Sequence, residues 1–359
     1  MTETTNESTP NRQATAVLGE LIEPGNLELY AAVSRYGAHE ALRNLCRGEG
    51  SQALVRLVQR KLHGANPQHC ADLLSRGAQL LADGQHCGAR LILPDDPEWP
   101  VQLVDLAGLT VDDPAAAPPI ALWVRGPANL RRACERSVSV VGARSATSYG
   151  THSTAELAAG LARQGWTVVS GAAYGIDGAA HRGALSVEGC TVAVLACGVD
   201  RVYPAGHARL LERIAQTGAV ISEWPPGAGP RQHRFLIRNR VIAALAKGVV
   251  VTQAARRSGS RVTARRAQEL DRHVMALPGP VTSGMSVGPH ELLRDWQAKL
   301  VTDASDVIAV VGSLSEVFAD SAESSGVESR RMDLCADPDS PRARLLQAVP
   351  GREAVTVEW

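Results

Sequence analysis

Apolar residues follow a helical period in the first quarter of the chain. The runs 27–33 and 53–58 place apolar side chains at the spacing of one helix face. This pattern predicts a small all-helical domain over residues 14–93, although periodicity alone does not specify its type. The polar residues 1–13, which precede this domain, are predicted to form a disordered leader.

The pattern changes at Ser137, where short apolar runs begin to alternate with helical stretches. Each run is apolar on both faces, as in the central strands of a parallel sheet that helices cover on either side. This alternation predicts an α/β domain with a doubly wound, mostly parallel sheet and right-handed crossovers. The predicted strands are 138–141, 167–170, 191–196, 219–222, 249–252 and 274–277. The predicted helices are 151–163, 176–187, 207–216, 238–246 and 260–270.

We assign this α/β domain to residues 94–311, which begin in a turn-rich segment, 94–100. Residues 312–340 are rich in Ser, Glu and Asp and are predicted to form a linker. Residues 341–359 begin with one more helical stretch, 342–349.

The composition excludes several classes of protein. The chain has 359 residues, of which 45% are hydrophobic, enough for two or three domains with sizeable cores. The N-terminus lacks the apolar segment of a signal peptide, and no stretch reaches the roughly 18 apolar residues of a membrane span. The seven cysteines are scattered and form no CxxC pair. This argues against a zinc site or a disulfide framework and favours a cytoplasmic location.

The formal net charge is zero, but the charges are unevenly distributed. Residues 231–272 contain eleven Lys and Arg against two acidic residues. Residues 302–359 contain eleven acidic residues against five Lys and Arg. The basic excess in the middle of the chain requires either a polyanionic partner or acidic neighbours from elsewhere in the fold.

Polar, glycine-containing turns follow several predicted strands, at the sheet edge where α/β folds bind ligands. Glycines let backbone N–H groups approach a phosphate, and helix N-termini favour anions. Tight packing alone would explain any one turn, but several such turns beside an arginine cluster favour an anion site. The turns are 142–145, 170–177, 198–204, 222–225 and 258–263.

The motifs of the common nucleotide sites are absent. The first turn lacks GxGxxG, no acidic residue ends the second strand, and no GxxxxGK[ST] segment occurs. A dinucleotide oxidoreductase and a P-loop NTPase are therefore both disfavoured.

Arginines and one Asp–His pair are the candidate functional residues. Arg144 could clamp a phosphate or pair with a carboxylate such as Asp177. Arg238 and Arg240, at the start of a predicted helix, are two positions apart, so one could face a ligand while the other is paired internally. Asp177 and His181 have the spacing of an acid–base pair. No nucleophile adjoins them, however, and a hydrogen bond that holds the glycine turn is the favoured interpretation.

Seven segments of the chain occur in an order and spacing that identify a family. They are VVGARSATSYG (140–150), SGAAYGIDGAAH (170–181), ACGVDRVYP (196–204), SEWPPG (222–227), FLIRNRVIAAL (235–245), SGSRVTA (258–264) and VMALPGPV (274–281). Together they resemble the DNA processing protein A family (DprA, also called Smf). The resemblance covers about residues 94–311.

The resemblance implies an extended Rossmann-like domain that binds single-stranded DNA and is not an enzyme. It also implies a homodimer without a cofactor that protects incoming DNA in natural transformation and helps to load the RecA recombinase. For residues 14–93 it implies a sterile-alpha-motif-like fold, and for residues 341–359 the remnant of a winged-helix domain. By motif, the residues that bind DNA or phosphate would be Gly142, Arg144, Ser170, Gly171, Gly175, Arg238, Asn239, Arg240, Ser258, Gly259, Ser260 and Arg261. The supporting pocket would contain Asp177, His181, Asp200 and Tyr203, with no metal ligand.

The chain departs from the family pattern at four positions. Leu236 stands where FPxRNR has proline, and Gln253 stands where the strand usually ends in a glutamate. Asp271 replaces the glycine of ELGR, and His290 replaces an asparagine. These changes affect the fine contacts of the site rather than the fold.

Aromatic residues make up only 4% of the chain, so DNA binding is expected to depend mainly on phosphate contacts. Phe235, Tyr174 and Tyr203 are the candidates for base stacking. Two other functions remain open. One is a Rossmann-like nucleotide-processing enzyme of the phosphoribohydrolase type, although its PGGxGTxxE signature is absent. The other is a scaffold that contacts only proteins.

Overall fold

The computed structural model describes residues 4–61, 69–111 and 113–312. The strands are β1 Ala89–Ile92, β2 Leu122–Arg125, β3 Ser137–Val141, β4 Thr167–Ser170, β5 Thr191–Val194, β6 Ala219–Ser222, β7 Gly248–Val251, β8 His273–Ala276 and β9 Lys299–Leu300. The helices are α1 Thr4–Leu21, α2 Leu27–Tyr36, α3 Ala38–Cys46, α4 Gln52–Lys61, α5 His69–His86, α6 Leu130–Glu135, α7 Ser148–Arg163, α8 Ile176–Ser186, α9 Ala208–Thr217, α10 Gln232–Leu245, α11 Gly259–Glu269, α12 Val287–Asp295 and α13 Ala304–Val311. The 3₁₀ segments are the eleven-residue Val101–Val111 and the three-residue Pro114–Ala116, Ala205–His207 and Gly284–Ser286.

The nine strands form one sheet in the order β1-β2-β6-β5-β4-β3-β7-β8-β9. Strands β3 to β9 pair in parallel, whereas β1 and β2 are antiparallel additions at one edge. From β3 the chain builds outward through β4, β5 and β6, then returns to the other side of β3 to form β7. The sheet therefore has its topological switch point between β3 and β7, where ligands of doubly wound folds bind.

The six strands predicted from apolar runs are all present, which confirms the α/β fold with its mostly parallel sheet. Their valines are buried on both faces because helices cover the sheet from either side. Trp166, at the end of the turn before β4, is almost fully buried. Within the described residues, no helix is long and apolar enough to cross a membrane.

The prediction of a disordered leader is wrong for residues 4–13, which belong to α1. Two of its polar side chains bind other parts of the fold. Arg12 donates from Nη1 to the Leu91 carbonyl oxygen over 2.7 Å and pairs with Asp96. The Asn11 Oδ1 atom accepts from the His39 N–H over 3.2 Å. Hydrophobic patterning alone does not detect such partners.

The boundary between the helices and the sheet also differs from the prediction. Residues 89–92, assigned to the helical domain by sequence, form β1 and pair antiparallel with β2. We therefore use "helical domain" for helices α1 to α5. The helical domain and the sheet belong to one compact unit, Met1–Ser313. Beyond Gly312, the predicted linker 312–340 and the predicted winged-helix remnant 341–359 lie outside the described residues.

Helix α10 begins at Gln232, nearly two turns earlier than predicted, so Arg238 and Arg240 lie within the helix rather than at its start. Its first turn is polar and therefore has no apolar period for sequence analysis to detect. Arg234 in that turn is nevertheless buried. Its burial is tolerated because its Nε and Nη2 atoms donate hydrogen bonds, over 3.1 and 2.5 Å, to the carboxylate of Glu23, which lies between α1 and α2 of the helical domain. The same carboxylate accepts the Trp224 indole N–H over 2.8 Å.

A second ion pair fixes the other side of α10. Arg240 is 2% exposed and donates from both terminal nitrogens to the Glu223 carboxylate, over 2.7 and 2.8 Å. Glu223 directly follows β6. A bidentate pair of this kind neutralises a charge that would otherwise be very costly to bury.

Replacing Glu223 with alanine leaves the buried Arg240 guanidinium without a counter-charge. We expect the free energy of unfolding to fall by about 3–5 kcal/mol, the usual cost of breaking a buried pair. Urea denaturation followed by circular dichroism measures this change. The control is Glu269→Ala, which removes surface pairs with Arg265 and Arg266 and should cost about 1 kcal/mol or less. Equal losses in the two variants would contradict this assignment.

Candidate nucleic-acid interface

A cavity of about 700 Å³ opens at the carboxyl ends of β3 and β7, at the switch point of the sheet. We call it the switch-point cavity. The loop after β3, the loop after β4, the first half of α10 and the start of α11 form its walls. Its lining includes the predicted residues Gly142, Arg144, Asp177, Tyr203, Arg238, Asn239, Ser258, Gly259 and Ser260. The sequence motifs therefore converge in space.

Three helices begin at the switch-point cavity. Gly175 is the N-cap of α8, Arg231 that of α10 and Ser258 that of α11. Gly175 has a φ of 73°, and a side chain there would collide with the backbone of Ala143 and Arg144. Helix N-termini present partial positive charge and unpaired N–H groups, so all three favour a bound anion.

Three arginines, which we call the rim arginines, surround the opening: Arg144, Arg231 and Arg257. All are exposed, and none forms an ion pair with a carboxylate of the described residues. Arg231 and Arg257 were not singled out by sequence reasoning, although both belong to the basic stretch 231–272. An unpaired arginine at an anion-favouring cavity is well suited to bidentate phosphate contacts.

An aromatic pair occupies one side of the opening. The rings of Tyr203 and Phe235 have centroids 5.3 Å apart, and the Arg144 guanidinium carbon lies 5.0 Å from the Phe235 ring centre. Leu236, which stands where the family has proline, is 56% exposed beside them. The third candidate for stacking, Tyr174, does not line the cavity. Its hydroxyl accepts from the Gly206 N–H and its ring packs edge-on against His207.

Arg238 forms the floor of the switch-point cavity rather than its wall. It is 5% exposed, and its Nη1 donates to the carbonyl oxygens of Gly171, over 2.7 Å, and Val194, over 2.5 Å. Burial lowers the pKa of this guanidinium to about 10, although the negative charge of Asp177 acts in the opposite direction. Arg238 therefore ties α10 to the ends of β4 and β5 and adds positive potential from below.

Asp177 and His181 do not form the acid–base pair that the sequence left open. Asp177 Oδ2 accepts from the Ala173 N–H over 3.4 Å, and burial raises its pKa although Arg238 and backbone N–H groups oppose this. His181 Nδ1 instead contacts Thr191 Oγ1 at 2.7 Å, and burial lowers its pKa to about 3. The carboxylate holds the glycine turn, as favoured from the sequence, but without the histidine.

One hydrogen bond joins the turn before α11 to α10, and a second contact lies within the turn. Asn239 Nδ2 donates to the Gly259 carbonyl oxygen over 3.3 Å, and the hydroxyls of Ser258 and Ser260 lie 2.8 Å apart. A methyl group on Gly259 would meet no atom within 4 Å, so this turn faces open space. Gly142, on the opposite wall, is closely packed against Gln253 and Ile176.

Seven predicted site residues do not line the switch-point cavity: Ser170, Gly171, Gly175, His181, Asp200, Arg240 and Arg261. Ser170 is fully buried and donates its hydroxyl to the Val140 carbonyl oxygen over 2.6 Å. Arg240 is occupied by Glu223. Arg261 pairs with Glu291 at 2.6 Å. Asp200 Oδ1 accepts from the Gly227 N–H over 2.9 Å. Gly171 lies below the opening, where the Arg238 guanidinium fills the space that a side chain would need.

Acidic neighbours explain most of the basic excess in residues 231–272. Their carboxylates come from distant parts of the chain or from the same helix. The pairs are Arg234–Glu23, Arg240–Glu223, Arg256–Glu291, Arg261–Glu291, Arg265–Glu269, Arg266–Asp113, Arg266–Glu269 and Arg272–Asp105. The sequence left open an acidic neighbour or a polyanionic partner. The acidic neighbours account for these pairs, whereas Arg231 and Arg257 face the cavity without such a neighbour in the described structure.

Metal ligands were the next possibility for this site. Among the residues that the structure describes, no group of three or more His, Cys, Asp or Glu side chains is placed to hold a metal ion. Apart from the Asp177 carboxyl group, the cavity lining offers guanidinium groups, hydroxyls, amides and aromatic rings, which suit a phosphate-containing ligand.

Comparison with known proteins finds chains that are similar over most of this sequence. The family model described as DNA recombination-mediator protein A matches residues 90–312, starting within β1. The putative DNA processing protein DprA of Mycobacterium tuberculosis is 43% identical over 353 residues, which cover 97% of this chain and 86% of that protein. Protein Smf of Escherichia coli is 42% identical over 219 residues, covering 60% of this chain and 55% of that protein.

A solved structure shows the same relationship. The X-ray structure of DNA processing protein A from Streptococcus pneumoniae superposes with a TM-score of 0.64 at 29% identity. The superposition covers 84% of this chain and 96% of that chain. These similarities confirm the resemblance that the seven sequence segments indicated.

Gly171→Ala should displace Arg238, because the added methyl group would overlap the guanidinium. We expect the free energy of unfolding to fall by roughly 1–3 kcal/mol, as in other overpacked sites. Thermal or urea denaturation measures the loss. Gly259→Ala, in open space at the same cavity, is the matched control and should change stability by no more than about 0.5 kcal/mol. If Gly171→Ala were as stable as the control, Arg238 would not be the fixed floor described above.

Proposed function

This chain belongs to the DNA recombination-mediator protein A family, and from that premise we propose that it binds single-stranded DNA in the switch-point cavity. The observation that supports this most strongly is the set of three rim arginines, which have no carboxylate partner among the described residues, around a cavity where three helices begin. A polyanion satisfies these charges, and a DNA-processing role follows from the family.

The two kinds of group at the opening suit the two parts of a nucleotide. The rim arginines and the N–H groups at the helix starts contact phosphates, which gives an affinity that does not depend on sequence. Phe235 and Tyr203 stack on bases, which are accessible to an aromatic ring only when the strand is unpaired. Single-stranded DNA is therefore preferred over a duplex.

We extend the proposal to the biological role implied by the family. The protein shields incoming single-stranded DNA from nucleases in the cytoplasm during natural transformation and assists the loading of the RecA recombinase. It acts as a homodimer, without a cofactor and without catalysing a reaction. Nuclease-protection and strand-exchange assays with purified RecA test these roles. DNA that is degraded equally fast with and without the protein would contradict the protective role.

A nucleotide-processing enzyme is the second candidate, because a cavity of about 700 Å³ at a switch point also has the size of a nucleotide site. Asp177 is the one acidic residue in the described lining of the cavity, and its carboxyl group is engaged by the glycine turn rather than free to act as a base. Incubation with a panel of nucleoside monophosphates, followed by chromatography, decides between the two. Turnover that is lost in Asp177→Asn would favour the enzyme.

Removing two rim arginines should weaken binding because the protein then neutralises fewer phosphates. For Arg144→Ala/Arg257→Ala, we expect the slope of log affinity against log salt to become shallower by about 0.7 for each phosphate that the variant no longer neutralises. Fluorescence anisotropy with labelled oligo-dT, titrated at several salt concentrations, gives the slope. Arg265→Ala is the control, since it removes a cation of the same basic stretch that already pairs with Glu269. A double variant with an unchanged slope would contradict phosphate binding at this rim.

Phe235→Leu should lower affinity through the bases rather than through the phosphates. Loss of stacking is expected to cost about 1–3 kcal/mol of binding free energy while the salt slope stays the same. The same anisotropy titration measures both quantities. Tyr149→Leu removes an exposed aromatic ring that does not line the cavity and serves as the control. An abasic strand should bind the wild type and Phe235→Leu equally. If it still binds the variant more weakly, stacking is not the cause.

A further inference from the structure

A second group of exposed cations lies on α4 in the helical domain. We call Arg56, Arg60 and Lys61 the basic strip. All three are exposed, and none forms an ion pair with a carboxylate of the described residues. The helix, QALVRLVQRK, contains no acidic residue at all. Arg56 and Arg60 also line a surface depression together with Gln59.

The basic strip ends beside the helix that forms one wall of the switch-point cavity. Lys61 Nζ donates to the Glu20 carbonyl oxygen over 3.1 Å, at the end of α1. Three residues later, Glu23 holds Arg234 in the first turn of α10. The pKa of Lys61 is lowered first by partial burial, and the positive charges of Arg231 and Arg234 add to this effect, against the opposing effect of Glu23. Lys61 is thus an electrostatic neighbour of a rim arginine.

The helix dipole accounts for only part of the strip. Cations in the last turn of a helix are favoured by its negative end, and this explains Arg60 and Lys61 as ordinary features of α4. It does not explain Arg56, which lies one turn earlier on the same face. Several other arginines of the helical domain have carboxylate partners, as Arg43 and Arg47 have in Glu40, whereas Arg35 on α2 lies over the Tyr36 ring. Within the described structure, the basic strip lacks such partners where it approaches the cavity.

We propose that the basic strip is a second phosphate-binding site, which takes the continuation of the same DNA strand as it leaves the switch-point cavity past Arg231. The proposal rests on the proposed DNA-binding function and assigns a role in it to the helical domain. Arg56 and Arg60, one helical turn apart, contact successive phosphates outside the cavity. Short strands are held by the cavity alone, whereas longer strands reach both sites.

The length of the DNA separates the two sites experimentally. Anisotropy titrations of the full chain would use labelled oligo-dT of about 6 and about 30 nucleotides, near the lower end of and well above the usual range of single-strand sites. For Arg56→Ala/Arg60→Ala, affinity for the long strand should fall roughly three- to tenfold, with a salt slope shallower by about 0.7 for each phosphate that is no longer neutralised. Affinity for the short strand should stay the same.

The control variant is Arg43→Ala/Arg47→Ala, which removes two arginines at the same spacing from the same domain, and it should bind both strands like the wild type. Unchanged long-strand binding by the basic-strip variant would overturn the inference. So would an equal loss for both lengths, since the change would then act through the cavity. Different results would contradict the proposed DNA-binding function itself. The wild type would then bind the short strand without salt dependence, or Arg144→Ala/Arg257→Ala would bind the short strand as tightly as the wild type does.

Discussion

The structure around the site depends on how α10 buries three guanidinium groups. A buried cation is tolerated only where oxygen atoms meet it with good geometry. Arg234 is met by Glu23 of the helical domain, and Arg240 by Glu223 after β6. Arg238 has no bonded carboxylate among the described residues and uses the carbonyl oxygens of Gly171 and Val194. These contacts join α10 to the helical domain and to the ends of three strands.

This constraint positions the groups that remain available for a ligand. With Arg234 and Arg240 directed away from the cavity, the intervening face of α10 presents Phe235 and Asn239 to it, and Arg231 lies at its start. The floor is equally constrained, because Arg238 occupies the space that a side chain at position 171 would need. The ligand-facing surface is therefore set by ion pairs that do not line the cavity.

The sequence allowed the sheet to be predicted well, because runs such as Val138–Val141 are apolar on both faces in a way that only covered strands require. It also located the cavity, since the carboxyl ends of parallel strands meet at one edge. It could not identify which arginines were free. Arg234 and Glu23 are 211 residues apart in sequence, and Arg266 and Asp113 are 153 apart, so their pairing depends on the tertiary fold. Arg240 and Arg261 were assigned to the site for that reason, and Arg231 and Arg257 were missed.

Ultraviolet cross-linking of oligo-dT to the full chain, with mass spectrometry of the cross-linked peptides, locates the strand on the protein. A strand bound in the switch-point cavity forms adducts at the aromatic pair Tyr203 and Phe235, beside that cavity. Adducts confined to the opposite end of the sheet, around His273 at the start of β8, would contradict binding in that cavity.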